Sequence, residues 1–142
     1  MNARLPICKQ ILGDLISYDV LGGQTNLTIL DYIIGFLIER RIEYYLVPND
    51  DCTKASLFCR IGPATDGGVI LSGHTDVVPV AGQDWKTDPF ILTEKDNKLY
   101  GRGSCDMKGF IACCLASADL FSKAGLKKPV YFAFSYDEEV GC

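Results

Sequence analysis

One histidine and four carboxylates carry the chemistry that this sequence can do. His74 is the only histidine in 142 residues and lies in Leu71-Ser72-Gly73-His74-Thr75-Asp76. The apolar run Val69-Ile70-Leu71 before it reads as a buried strand, ended by Gly73. His74 and Asp76 therefore fall just past the carboxyl end of a strand, where open α/β sheets place their ligands. In extended backbone, residues i and i+2 point the same way, so Asp76 can support His74 or share its site. A lone His-x-Asp is more often a solvated turn, but two later stretches argue against that here. Asp106 lies in Gly101-Arg102-Gly103-Ser104-Cys105-Asp106-Met107-Lys108-Gly109. Glu138 and Glu139 follow the strand-like run Val130 to Ser135. His74 to Asp106 and Asp106 to Glu138 are both 32 residues, about one strand-and-helix crossover each. One imidazole and several carboxylates thus gather at the ends of neighbouring elements. Nitrogen-plus-oxygen ligation of this kind suits zinc, manganese or cobalt.

Plainer uses compete for some of these residues. Asp106 directly precedes a helical stripe of Met107, Phe110, Ile111, Cys114, Leu115, Ala118 and Phe121, so it could serve as a helix N-cap. Cys105 adjoins Asp106 and could be a nucleophile, but no second histidine exists to activate it. Trp85 reads as cover for the rim of a core rather than a stacking platform. Asp84, Asp88, Glu94 and Asp96 read as surface or turn residues. Gly67-Gly68 lacks a phosphate-loop context.

The elements that must position the candidates can be read from periodicity. Leu5, Cys8, Leu12, Leu15 and Ile16 predict an opening amphipathic helix, broken at Gly22-Gly23. Thr25 or Asn26 can cap a second helix carrying Leu30, Ile33, Ile34, Leu37 and Ile38, with Arg40 and Arg41 at its negative end. Residues 42–47, 55–61 and 68–71 read as strands, and the Gly62 to Gly67 turn predicts a hairpin joining the last two. A second hairpin is expected around Glu94-Lys95-Asp96-Asn97. The Met107 helix should stop at Gly125, before a strand from Val130 to Ser135. The fold class is α/β, a mixed sheet with helices on both faces.

Composition removes several classes of function. A net charge of −4 argues against a nucleic-acid surface, and 48% hydrophobic residues indicate a globular chain. No apolar run approaches a membrane span, and the N-terminus lacks a signal-peptide core, so the protein reads as cytoplasmic without a membrane partner. The seven cysteines include no Cys-x-x-Cys and read as free thiols of a reducing compartment.

In order and spacing, S-G-H-T-D-V-V-P, W-K-T-D-P-F, L-Y-G-R-G-S-C-D-M-K-G and Y-D-E-E-V-G resemble the motifs of one known family. It is the zinc-dependent aminoacylase, carboxypeptidase G and succinyl-diaminopimelate desuccinylase family of co-catalytic metallohydrolases. The resemblance implies two divalent metal ions, zinc first, with cobalt or manganese as alternatives. It assigns His74 to one metal, Glu139 to the other and Asp106 to a bridge between them. Glu138 becomes the general base, and Asp76 the support of His74. A cis peptide after Asp106 is also implied. The segments L-V-P-N-D-D-C-T-K-A-S-L-F and H-T-D-V-V-P-V-A-G-Q-D-W look most like the branch that deacetylates N-acetylornithine in arginine biosynthesis. A desuccinylase, a dipeptidase or a non-catalytic remnant is the alternative. The implied substrate is a small N-acyl amino acid, and the implied parent is a homodimer joined through a lid domain. Family members run well over twice this length. Residues 1–142 are therefore expected to be the N-terminal part of the catalytic domain, without the lid and without a further carboxylate and histidine ligand. On that basis the isolated chain should be inactive.

Overall fold

The computed structural model of the chain describes residues 4–141, so the expected free thiol of Cys142 lies outside the described residues. Helix α1 (Arg4–Ile16) and helix α2 (Leu27–Glu39) come first. Strands β1 (Tyr44–Pro48), β2 (Ala55–Ile61) and β3 (Val69–His74) follow, then the short strands β4 (Thr93–Lys95) and β5 (Lys98–Tyr100). Helix α3 (Lys108–Lys123), strand β6 (Val130–Ser135) and a single 3-10 turn at Glu138–Val140 complete the order.

The main sheet runs β1-β2-β6-β3, with β2 antiparallel to both neighbours and β3 parallel to β6. The hairpin expected between β2 and β3 is therefore not formed, because β6 lies between them. Its Phe132 and Phe134 are fully buried, and such a strand has to pair along both edges. The glycine-rich turn is present, with Gly62 and Gly68 at φ +104° and +112°, but it directs β3 onto β6. Val69 donates to the carbonyl of Pro129, which sets that register. A turn signal marks a change of chain direction, not which strand becomes the neighbour. The β4–β5 hairpin forms, but Glu94 and Lys95, expected in its turn, belong to β4, and the turn is only Asp96-Asn97, both at positive φ.

Helix α1 buries Ile11, Leu12, Leu15 and Ile16; α2 buries Ile29, Leu30, Ile33 and Leu37; α3 buries Ile111, Leu115 and Ala118. These join Leu57, Cys59, Phe132 and Phe134 in one core. Each fully buried Leu, Ile or Phe contributes about 1.5–3 kcal/mol relative to exposure. The helices expected on both faces cover one of them among the described residues. On the other face Tyr45 and Ile70 are 61% and 64% exposed, and Tyr45 stacks on Phe58 across the β1–β2 pair.

Helix α2 ends as its basic residues suggest, with Arg40 Nη1 donating to the Phe36 carbonyl at 3.1 Å. At its start, Thr25 Oγ1 accepts from the Leu27 N–H, whereas the Asn26 side chain does not cap. Asn26 is fully buried and instead exchanges two hydrogen bonds with the backbone of Ala55, while donating to Thr75 Oγ1. Gly125, at φ +59°, follows α3 as expected. Among the described residues, no helix is long and apolar enough to cross a membrane.

Candidate metal centre

Parallel pairing sets His74 opposite Ser135, so β3 and β6 end side by side. Past those ends, Thr75 donates from both its N–H and its hydroxyl to the Ser135 carbonyl, each at 2.9 Å. These bonds hold the two outgoing chains together. From β3 comes Asp76, which is 1% exposed. From β6 come Asp137, in the left-handed region at φ 60°, and the turn bearing Glu138 and Glu139. The backbone N–H groups of Glu138 and Glu139 donate to the two carboxylate oxygens of Asp76, at 3.3 and 3.0 Å.

His74 is 4% exposed, and its Nδ1 lies 2.9 Å from the backbone carbonyl of Asp76 and 3.4 Å from the Asp76 carboxylate. A carbonyl only accepts, so Nδ1 carries a proton, and in the neutral ring Nε2 presents its lone pair. That lone pair faces Asp106 Oδ1 at 3.2 Å and Glu138 Oε2 at 3.7 Å. With the ring neutral these are acceptors facing acceptors, an arrangement that either a proton on Nε2 or a metal cation relieves. His74, Asp106 and Glu139 each offer one donor atom, and these atoms all lie within 4.8 Å of one another. Partial burial pushes the Glu139 carboxyl up, and repulsion by Asp106 pushes it further. A divalent cation would relieve that strain in charge, so the donor set fits one.

Asp106 does not cap α3. The helix begins at Lys108 with Met107 in the cap position, and the Asp106 carboxylate is turned towards His74. The Asp106–Met107 peptide is cis, as the resemblance implied. All five expected site residues are thus brought together, with Asp76 holding the Glu138–Glu139 turn more closely than it holds the imidazole. Trp85 stands apart beside a cleft of about 520 Å³ with Lys95 and Tyr100; its indole N–H donates to Gln83, and Arg102 lies over its ring.

Sequence reasoning missed four supports of this centre. Gly22 touches it so closely that a Cβ there would meet Val140 Cγ1 at 2.7 Å and Asp76 Oδ2 at 3.3 Å. Gly23 donates its N–H to Asp137, and Lys54 pairs with the same carboxylate. Lys108 is fully buried and donates to the Tyr18 carbonyl at 2.6 Å, tying the start of α3 to the loop after α1. Burial pushes its ammonium down to about 8, against the attraction of Asp19. Gly22-Gly23 read only as a helix breaker, and neither lysine carried any periodic signal.

A sequence profile described as peptidase family M20/M25/M40 matches residues 70–142, more than half of the chain. The chain belongs to peptidase family M20/M25/M40. A curated relative, the acetylornithine deacetylase of Pectobacterium atrosepticum, is 42% identical over 82% of this chain and 30% of its own length. The crystal structure of human carnosine dipeptidase 1 superposes with a TM-score of 0.79 at 25% identity, covering 94% of this chain and 32% of that one. An M20 family metallo-carboxypeptidase from Sulfolobus solfataricus shares the fold, with a TM-score of 0.81 at 21% identity over 99% of this chain and 32% of that one. The chain spans 30–38% of the length of the curated relatives it matches. Membership of the M20/M25/M40 family agrees with a mixed α/β catalytic fold and with a divalent cation at the His74 group.

Proposed function

We propose that residues 1–142 form the N-terminal part of a metallohydrolase catalytic domain whose whole protein deacetylates N-acetylornithine. The observation that carries the hydrolytic reading is His74 Nε2 facing Asp106 at 3.2 Å, with Glu139 completing a donor group within 4.8 Å. The substrate is supported by the acetylornithine deacetylases, 34–42% identical to this chain. In this reading His74, Asp106 and Glu139 would hold two divalent cations, zinc first, with Asp106 serving as a ligand to both. When bound, such cations supply Lewis acidity, lowering the pKa of a water and polarising an amide carbonyl. Glu138 is the general base: its Oε2 takes the proton of the attacking water and returns it to the leaving amine nitrogen. Asp76 keeps Glu138 and Glu139 in place through their N–H groups and fixes the tautomer of His74. A dipeptide substrate is the second reading, favoured by the likeness to human carnosine dipeptidase 1.

Catalytic zinc commonly takes three protein ligands. Counting the shared Asp106 twice, His74, Asp106 and Glu139 offer each of two metals only two. The isolated chain should therefore bind metal weakly and release no measurable ornithine. The test is an assay of purified 142-residue protein, loaded with zinc or cobalt, on N-acetylornithine and on dipeptides. Turnover abolished by Glu138→Ala would overturn the expectation of inactivity and show that a second copy supplies the remaining ligands. Failure of His74→Ala to weaken cobalt binding would refute the metal centre itself.

A further inference from the structure

We propose that Lys54 is a positioning residue for the Glu138–Glu139 turn, acting through Asp137. The inference rests on the metal-centre reading above. Among the described residues, Lys54 Nζ pairs with Asp137 and lies 5.8 Å from the centre of the Tyr136 ring, and no ion pair joins it to a proposed metal ligand. Its Nζ lies 2.5 Å from Asp137 Oδ2, while the Gly23 N–H donates to Asp137 Oδ1 at 2.8 Å. The two side chains are only 13% and 22% exposed, so solvent screens this pair less than a surface one.

Asp137 occupies the one left-handed residue between the end of β6 and the two glutamates, at φ 60° and ψ 23°. Non-glycine residues adopt that region rarely, and aspartate is among the few that tolerate it. The direction in which Glu138 and Glu139 leave the sheet is set there. Asp76 grips the turn from one side through two N–H groups; Lys54 and Gly23 grip its preceding residue from the other.

Lys54 is itself firmly mounted. Its N–H donates to Asn49 Oδ1 at 2.9 Å and its carbonyl accepts from the Asn49 N–H at 3.0 Å. The next residue, Ala55, is hydrogen-bonded on both its N–H and its carbonyl by Asn26. The loop between β1 and β2 thus delivers an ammonium to a fixed point beside the acidic triplet.

Two roles for Lys54 predict opposite signs. A bystander cation near the centre only repels a metal ion, so removing it leaves metal affinity unchanged or raises it. A positioning cation holds the donors, so removing it lowers affinity. The test titrates cobalt and zinc into the 142-residue chain, following cobalt absorption and competition with a chelating dye. Lys54→Met should weaken binding about tenfold, the lower end of the effect of losing an outer partner of a metal ligand. Lys54→Arg, which keeps the charge and reach, should restore it to within about threefold. Asp137→Asn should weaken binding similarly, and the double variant should lose little more than either single one. Unchanged or tighter binding in Lys54→Met would overturn the proposal, as would additive losses in the double variant. If Lys54→Met does not fold, Lys54→Gln, which also removes the charge, decides by the same criteria. His74→Ala serves as the separate control: loss of binding there, with Lys54→Met unaffected, refutes the role of Lys54 and leaves the centre standing.

Discussion

Replacing Gly109 by alanine should destabilise this protein and loosen its metal centre, against the ordinary rule for helices. Gly109 is the second residue of α3. In a helix interior, alanine is favoured over glycine by roughly 0.5–1 kcal/mol. Here a Cβ would lie 2.3 Å from the carbonyl oxygen of Ser104. Carbon–oxygen contacts ordinarily begin near 3.3 Å, so the two backbones must part by about 1 Å. The obstacle is main chain and has no rotamer to escape into. Overpacking of this kind costs about 1–3 kcal/mol, which outweighs the helix gain and leaves a net loss of about 1–2 kcal/mol. At about 3 °C per kcal/mol for a chain of this size, the melting temperature should fall by about 3–6 °C. The loop that is pushed carries Asp106 two residues further on, and displacements of about 1 Å at a site are worth up to about 100-fold. Metal affinity should therefore drop by about tenfold, the order of effect of losing the outer support of a metal ligand. Circular dichroism melting and dye-competition zinc titration, run side by side, test both parts. A melting temperature equal to or above that of the parent, with unchanged zinc affinity, would refute the reasoning.

Three further outcomes follow from the geometry. Asp76→Asn keeps the shape but can accept only one of the two turn N–H groups at full strength; zinc affinity should fall about 10–100-fold, and a loss under twofold would contradict the bracing role. Phe132→Ala, at a fully buried position in the middle of the sheet, should lower stability by about 3–5 kcal/mol in urea unfolding, and a loss below about 1 kcal/mol would place it outside the core. Burial pushes the thiols of Cys59 and Cys114 up to about 11 and about 12, while Cys52, Cys105 and Cys113 are exposed. At pH 8, iodoacetamide should label the exposed three first and reach Cys59 and Cys114 only after unfolding, as peptide mapping would show.

His74, Asp106, Glu138 and Glu139 were legible because each follows the end of an apolar run or opens a helical stripe. Such ends are where a sheet exposes its polar termini. The hairpin at Glu94–Asn97 was legible because its signal is local. The pairing of β2 with β6 was not, since Leu57 and Phe134 meet across most of the chain and nothing near either residue records it. Asp106 as a cap was a fair inference from its position before the stripe, and the backbone around Met107 turned the carboxylate away from the helix. Asn26 looked like a cap and became an internal bracket because two loops converge on it, again a long-range fact. The supporting residues Gly22, Lys54 and Lys108 were unreadable for the same reason: their partners are distant in sequence.

The interior place of β6 has a consequence for the order in which the chain can fold. Before residues 130–135 arrive, β3 has no partner strand in the main sheet, and β1 and β2 can form only an isolated pair. The contacts that close the sheet span about sixty residues or more, which makes them slow to find. His74 stands on the strand that waits, and Glu138 and Glu139 follow the strand that arrives. Sheet closure thus brings Glu138 and Glu139 to His74 in the same event that pairs β3 with β6. Amide exchange in β3 should accordingly keep pace with exchange in β6, not with that in the β1–β2 pair.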